Sequence, residues 1–139
     1  MLFRSEVAVK AAVKYGAKFF LASTSELYGK NPIQPLTENS DRVIGSPQLV
    51  RWAYSEAKAI DESVVQMFSQ SHGLKYVTGR FFNTVGPRQS GAYGMVLPRF
   101  VASAIKGEPI TVYGDGSQSR VFCHVSDAVD GIQIGRAHV

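Results

Sequence analysis

Tyr54 and Lys58 stand four residues apart in the stretch WAYSEAKAID, inside a segment with the spacing of a helix. On a helix that spacing puts both side chains on one face, about 6 Å apart along the axis. A phenol, with an ordinary pKa near 10, is a poor base at neutral pH. An ammonium about 4 Å away, at an effective dielectric near 20, favours the phenolate by roughly 4 kcal/mol, or about 3 pK units. That suffices for a tyrosine to act as general base near neutrality. The same ammonium could donate to a ribose hydroxyl and hold a cofactor still. A lone Tyr-x-x-x-Lys spacing equally fits an ordinary exposed i,i+4 pair, so its neighbours must decide.

Upstream, Ser23-Thr24-Ser25-Glu26-Leu27-Tyr28-Gly29 leaves the end of an apolar strand. Ligand crevices form at that place in open α/β sheets. The Thr24 hydroxyl could relay between a substrate hydroxyl and Tyr54, and Glu26 is a carboxylate for a second proton transfer. A Ser/Thr-rich turn with a solvated glutamate is the plainer reading. Downstream, Arg80-Phe81-Phe82-Asn83-Thr84-Val85-Gly86-Pro87-Arg88 also ends a strand in polar residues and a turn. Either side of the Asn83 amide can bond a sugar or phosphate oxygen. Arg120 follows the turn Gly114-Asp115-Gly116-Ser117-Gln118-Ser119, and a guanidinium fork matches the paired oxygens of a diphosphate. Seen singly, these are also a turn-capping asparagine and a surface arginine.

The elements that must position these groups follow from periodicity. Val7, Ala8, Ala11, Ala12 and Tyr15 mark an amphipathic helix over Glu6 to Tyr15, closed by Gly16. Lys18 to Ser23 reads as a strand buried on both faces, and Tyr76 to Phe82 as a second. A polar stretch and a proline-containing loop separate the first strand from a helix over Ala53 to Ser71. That helix carries Ala57, Ile60, Val64, Met67 and Phe68 as its apolar stripe and has Gly73 past its end. Pro87 to Gly94 is a loop, Met95 to Lys106 a helix stopped by Gly107, Ile110 to Tyr113 a short strand, and Val121 to Val125 another. Helices alternating with strands argue an α/β fold with a mostly parallel sheet. A G-x-G-x-x-G turn does not occur, so a pyrophosphate-binding half of such a fold would lie upstream of residue 6.

With 139 residues and 45% hydrophobic content the chain can bury one core. Its net charge of +4 comes from scattered lysines and arginines, which argues against a nucleic-acid partner. One cysteine, Cys123, excludes an internal disulfide and fits a reducing, cytoplasmic setting. No apolar run approaches the roughly 20 residues of a membrane span. Cys123, His72 and His124 lack metal-ligand spacing and read as structural.

Four motifs in order, S-T-S-E-L-Y-G, Y-S-E-A-K, R-F-F-N-T-V-G-P-R and V-Y-G-D-G-S-Q-S-R-V-F-C-H-V-S-D, resemble the extended short-chain dehydrogenase/reductases. The likeness is to the NAD-dependent nucleotide-sugar epimerase/dehydratase family and covers essentially Glu6 to Ile132. The resemblance implies a Rossmann-like domain, part of a small substrate domain, NAD as cofactor, a UDP-sugar substrate and a homodimer packed through helices that include the Tyr–Lys one. It makes Tyr54 the base, Lys58 its partner on the nicotinamide ribose and Thr24 the assisting hydroxyl. Ser23 and Phe81 fall beside the cofactor, Asn83 and Arg120 on the diphosphate, and Arg88 in the substrate loop. Where dehydratases of the family carry Asp-Glu after the threonine, this chain has Ser25-Glu26. That departure, with Arg51-Trp52, is more like the UDP-glucuronate decarboxylases, while related 4-epimerases share Ser-Glu. A non-catalytic nucleotide-sugar-binding member is the reading from another class; the presence of both Tyr54 and Lys58 argues against it.

The two ends read differently. Leu2-Phe3-Arg4-Ser5 can be encoded by CTC TTC CGA TCT. The reverse complement, AGATCGGAAGAG, read as (C)AG ATC GGA AGA G(C), gives Gln133-Ile134-Gly135-Arg136-Ala137. Such an inverted pair resembles translated sequencing-library adapter; coincidence among degenerate codons gives the same residues. On the adapter reading, 1–5 and 133–139 are non-native tails. Residues 6–132 are then a window of a longer protein, and losing Arg4 and Arg136 takes the charge from +4 to +2.

Overall fold

A computed structural model describes residues 2–92 and 95–139, with the side chains of residues 2 and 3 left aside. The last two residues of the expected Pro87–Gly94 loop, Tyr93 and Gly94, lie outside the described residues. The chain divides into two compact units, one of the residues up to Phe82 with Asp130–Val139, the other Asn83–Val129.

In the first unit, helix α1 (Leu2–Lys14) leads to strand β1 (Phe19–Thr24), a 3-10 turn over Ser25–Tyr28 and a second over Val50–Trp52. Helix α2 (Ala53–His72) then returns the chain to strand β2 (Tyr76–Phe81), which runs parallel to β1. Parallel pairing needs such a crossover, because two parallel strands cannot be joined by a tight turn. The register sets Phe19 opposite Tyr76 and Thr24 opposite Phe81, so both strands end together. Val9 and Ala12 of α1, Leu21 of β1, Val65 of α2 and Leu74 form the core, with Val13, Phe19, Phe68 and Tyr76 against it. Helix α2 ends where Gly73 turns left-handed at φ 67° and its N–H returns to Phe68 and Ser69. Leu74 beyond it enters the core, the hydrophobic closure usual for this cap.

Three expectations are corrected here. In α1 the buried residues are Val9 and Ala12, while Val7 and Tyr15 are exposed. Apolar residues occupy several faces of this helix, so spacing alone could not choose the inward one. In α2 the inward face carries Ser55, Asp61 and Val65 instead of Ile60 and Met67, which are 44% and 62% exposed. Two polar residues on the buried face misdirected a reading based on hydrophobicity. Finally, β1 is not covered on both faces, since Ala22 is exposed, and β2 is only half-buried throughout. The two strands form a two-stranded sheet in which each leaves one edge unpaired among the described residues.

In the second unit, β3 (Asn83–Val85) pairs in parallel with β4 (Phe122–His124), with α3 (Val96–Lys106) between them in sequence. Ile110–Tyr113 does not form the expected strand. Ile110, Val112 and Tyr113 are exposed and no described strand pairs with them, so β-propensity has no ladder to join. Helix α4 (Val125–Ala137), whose residues from Asp130 on belong to the first unit, was not expected. Gly131 and Gly135 within it lower the helical signal.

Candidate active site

Thr24 and Phe81 close the carboxyl ends of the two parallel strands, the side of such a sheet where ligands are held. The backbone turns sharply there. The Thr24 hydroxyl accepts the Glu26 N–H at 3.2 Å, capping the first 3-10 turn, and its side chain is buried. Glu26 itself is exposed, on the solvent side of that turn. Gly29 ends the turn at φ 62°, where a side chain would also collide with the Val43 carbonyl.

Helix α2 reaches this end of the sheet with its first two turns. Ser55, fully buried, donates to the Glu26 carbonyl at 2.9 Å and ties helix to turn. One residue earlier, Tyr54 is 41% exposed, and its hydroxyl makes no hydrogen bond among the described residues. Lys58 donates to the Ala22 carbonyl of β1 at 2.8 Å and lies 3.7 Å from Asp61. Its side chain is 15% exposed, so an amino group on a flexible stem is held against the strand two residues before Thr24. Tyr54 and Lys58 share a helix face as expected, but no hydrogen bond joins them.

Behind this edge runs a polar clasp that the sequence reading did not find. Arg80 of β2 makes a fork onto Glu62 of α2, at 2.7 and 2.9 Å for its shortest contacts, and also donates to Tyr28 and to the Glu38 carbonyl. Ser23 completes it by donating to Glu62 at 2.5 Å, so the Ser23 hydroxyl is committed to the α2 side of the sheet. Burial alone would raise the Glu62 carboxyl, but the hydrogen bonds of Arg80 and Ser23 outweigh it and hold Glu62 below its ordinary value. The bond to Glu62 in turn raises the Arg80 guanidinium. Glu62 sits four residues after Lys58, one further turn of the same helix, which was the available signal. The Phe81 ring is half-buried and tilts against Phe20 at 6.1 Å.

Asn83, Arg88 and Arg120 belong to the second unit. The Asn83 amide donates to the Val121 carbonyl at 2.9 Å, bracing β3 to the residue before β4 and leaving its oxygen available. Arg88 is exposed, has φ 66°, and lines an apolar cleft of about 550 Å³ with Leu97, Val101 and His124. Arg120 is exposed and donates to its neighbour Ser119. Among the described residues no cluster of His, Cys, Asp and Glu could hold a metal ion, and no helix is long and apolar enough to cross a membrane.

The NAD dependent epimerase/dehydratase family model matches residues 5–138. The chain is 42% identical over 123 residues to a UDP-N-acetyl-alpha-D-glucosaminuronate decarboxylase of Bacillus cytotoxicus, covering 88% of this chain and 38% of that protein. It is 40% identical over 121 residues to UDP-glucuronic acid decarboxylase 6 of Arabidopsis thaliana, covering 87% and 35%. Among solved structures it resembles UDP-glucuronic acid 4-epimerase from Bacillus cereus in complex with UDP-glucuronic acid and NAD. That match has a TM-score of 0.81 and 25% identity, over 95% of this chain and 40% of the other. The chain thus spans less than half the length of the proteins it matches.

Proposed function

The chain belongs to the NAD-dependent epimerase/dehydratase family, and on that premise we propose that it is the reactive-pair portion of a nucleotide-sugar enzyme that oxidises the sugar 4-hydroxyl. The observation that carries this reading is the placement of the Lys58 ammonium on the Ala22 carbonyl, beside Thr24 and one turn along from Tyr54. Tyr54 as phenolate takes the hydroxyl proton, assisted by Thr24, whose oxygen already accepts one N–H and whose own proton is free to be donated. Lys58 has donor capacity beyond Ala22, which suits the ribose hydroxyls of NAD. Bound there, NAD⁺ supplies the acceptor for the hydride leaving carbon 4. Ser23, with its hydroxyl on Glu62, contributes to the cofactor side through the strand it steadies, and Phe81 offers the half-buried ring opposite Thr24. Asn83, Arg88 and Arg120 are the groups for the UDP-sugar and its diphosphate.

The substrate favoured is UDP-glucuronate, with decarboxylation as the outcome. A ketone at carbon 4 is β to the carboxylate on carbon 5, so carbon dioxide can leave with its electron pair delocalised into the carbonyl. The two decarboxylase relatives support this reading. The likeness to a 4-epimerase crystallised with UDP-glucuronic acid supports 4-epimerisation as the second. The two separate by assaying the longer enzyme with UDP-glucuronate and UDP-glucose plus NAD⁺. Carbon dioxide release indicates the first, and UDP-galacturonate from UDP-glucuronate or UDP-galactose from UDP-glucose the second.

The same reading makes residues 6–132 part of a larger domain whose Gly-rich turn lies elsewhere, with 1–5 and 133–139 as adapter-derived tails. The nucleotide sequence of both ends tests the tails. The isolated chain then binds NAD weakly and turns nothing over; tight binding in calorimetry contradicts this. A homodimer through α2 fits the exposed stripe Ile60 and Met67, with half-buried Val64 between them and half-buried Ala57 one turn before. Met67→Glu in the longer enzyme is expected to yield monomers in sedimentation, and an unchanged dimer contradicts that face.

A further inference from the structure

Asp61 is buried to 2% exposure, the only carboxylate buried so deeply among the described residues, and it has no part in the reaction above. It follows Lys58 by three residues and Tyr54 by seven, so the three share one face of α2 with Lys58 in the middle. Its Oδ2 lies 3.7 Å from the Lys58 ammonium, and its Oδ1 has no hydrogen-bond partner among the described residues. A carboxylate withdrawn from water needs a cation or several donors. The one cation it meets among the described residues is the one the reaction depends on.

We propose that Asp61 is a positioning residue for Lys58, the buried counter-ion that fixes the ammonium at the Ala22 carbonyl and aims its remaining N–H towards Tyr54 and the cofactor ribose. The proposal rests on the reading of Tyr54 and Lys58 as the reactive pair. A lysine stem is flexible, and its ammonium follows whichever acceptor is offered. An acceptor in β1, the Ala22 carbonyl, and a counter-ion in α2, Asp61, together define one place for it.

Other ionisable groups occur on the elements packed against α2. They are Arg4, Glu6, Lys10 and Lys14 on α1, Glu26, Tyr28 and Arg51 in the 3-10 turns, and Tyr76 and Arg80 on β2; β1 carries none. Lys10 pairs with Glu6, Arg51 lies over Trp52, and Arg80 binds Glu62 and Tyr28. On α2 itself, Glu56 pairs with Arg42. Lys58 is therefore the group through which a change at Asp61 is felt.

The test uses the longer enzyme carrying Asp61→Asn, which keeps shape and removes charge. NAD is expected to bind about tenfold more weakly in calorimetry. Asp61→Glu, which keeps the charge, is expected to restore the affinity. In a Lys58→Met background, Asp61→Asn is expected to add nothing to the NAD dissociation constant, because its effect passes through Lys58. NAD affinity within twofold of the parent overturns the proposal, as does an equal loss of affinity in both backgrounds. Should Asp61→Asn fail to fold, the double variant decides: a recovered fold supports service to Lys58, and continued unfolding overturns it. Tyr54→Phe is measured alongside. Full activity there refutes the underlying reading, whereas an inactive Tyr54→Phe with a silent Asp61→Asn refutes the role of Asp61 alone.

Discussion

The two units hold their polar side chains in opposite ways. In the first, the groups around Tyr54 are fastened to backbone and to each other: Lys58 to Ala22, Ser55 to Glu26, Thr24 to its own turn, and Glu62 to Arg80 and Ser23. In the second, Asn83 is braced, but Arg88 and Arg120 stand in solvent, and α3 buries none of its residues. All described residues that are fully withdrawn from water lie in the first unit. On the proposed reading, the groups for proton transfer profit from fixed neighbours before any ligand arrives, whereas Arg88 and Arg120 gain their order from the diphosphate itself.

Breaking the clasp is expected to have the largest effect on the first unit. Arg80→Ala leaves Glu62 part-buried without its cation and should cost about 3 kcal/mol in denaturant unfolding. The pH dependence follows from the sign of the Glu62 shift. Its carboxyl is held below the ordinary 4.5 in the folded state, so the contribution is whole above that value and drains as pH falls through the folded one. Glu62→Gln should flatten this acid loss; an unchanged acid limb of stability would show that other carboxylates cause it.

A smaller effect is expected at Ser55. Removing its hydroxyl leaves the Glu26 carbonyl without this donor and a small void at a site with no exposure, about 1–2 kcal/mol. Ser55→Ala should therefore lower stability and also loosen the turn that carries Thr24, which hydrogen exchange at the Glu26 amide would report.

The smallest effect sharpens the contrast from the other side. Pro87 precedes Arg88 at φ 66°, and the Gln89 N–H closes onto the Gly86 carbonyl, a turn whose third place favours glycine. Arg88→Gly should stabilise the second unit by about 0.5–1 kcal/mol while weakening UDP-sugar binding in the longer enzyme. Stabilisation with unchanged binding would leave the strained arginine without a ligand to justify it.

Much of this was legible in the sequence. The strands, α2 and the left-handed ends at Gly16, Gly73 and Gly107 follow from apolar runs and glycine positions. Tyr54, Lys58 and Thr24 were legible through helical spacing and the strand end. The inward face of α2 was not, because Ser55 and Asp61 are buried for polar reasons that hydrophobicity cannot register. Nor was the Glu62–Arg80 pair, whose members are 18 residues apart and meet only through the parallel crossover. Ile110–Tyr113 has strand composition but no partner, and α4 is helical despite two glycines.

The most direct test of the central claim is Tyr54→Phe in the longer enzyme, assayed with UDP-glucuronate and NAD⁺. Loss of the phenolic oxygen is expected to lower kcat by about 10²–10⁴-fold while substrate affinity stays within about threefold. Turnover at the unmodified rate would contradict Tyr54 as the proton acceptor.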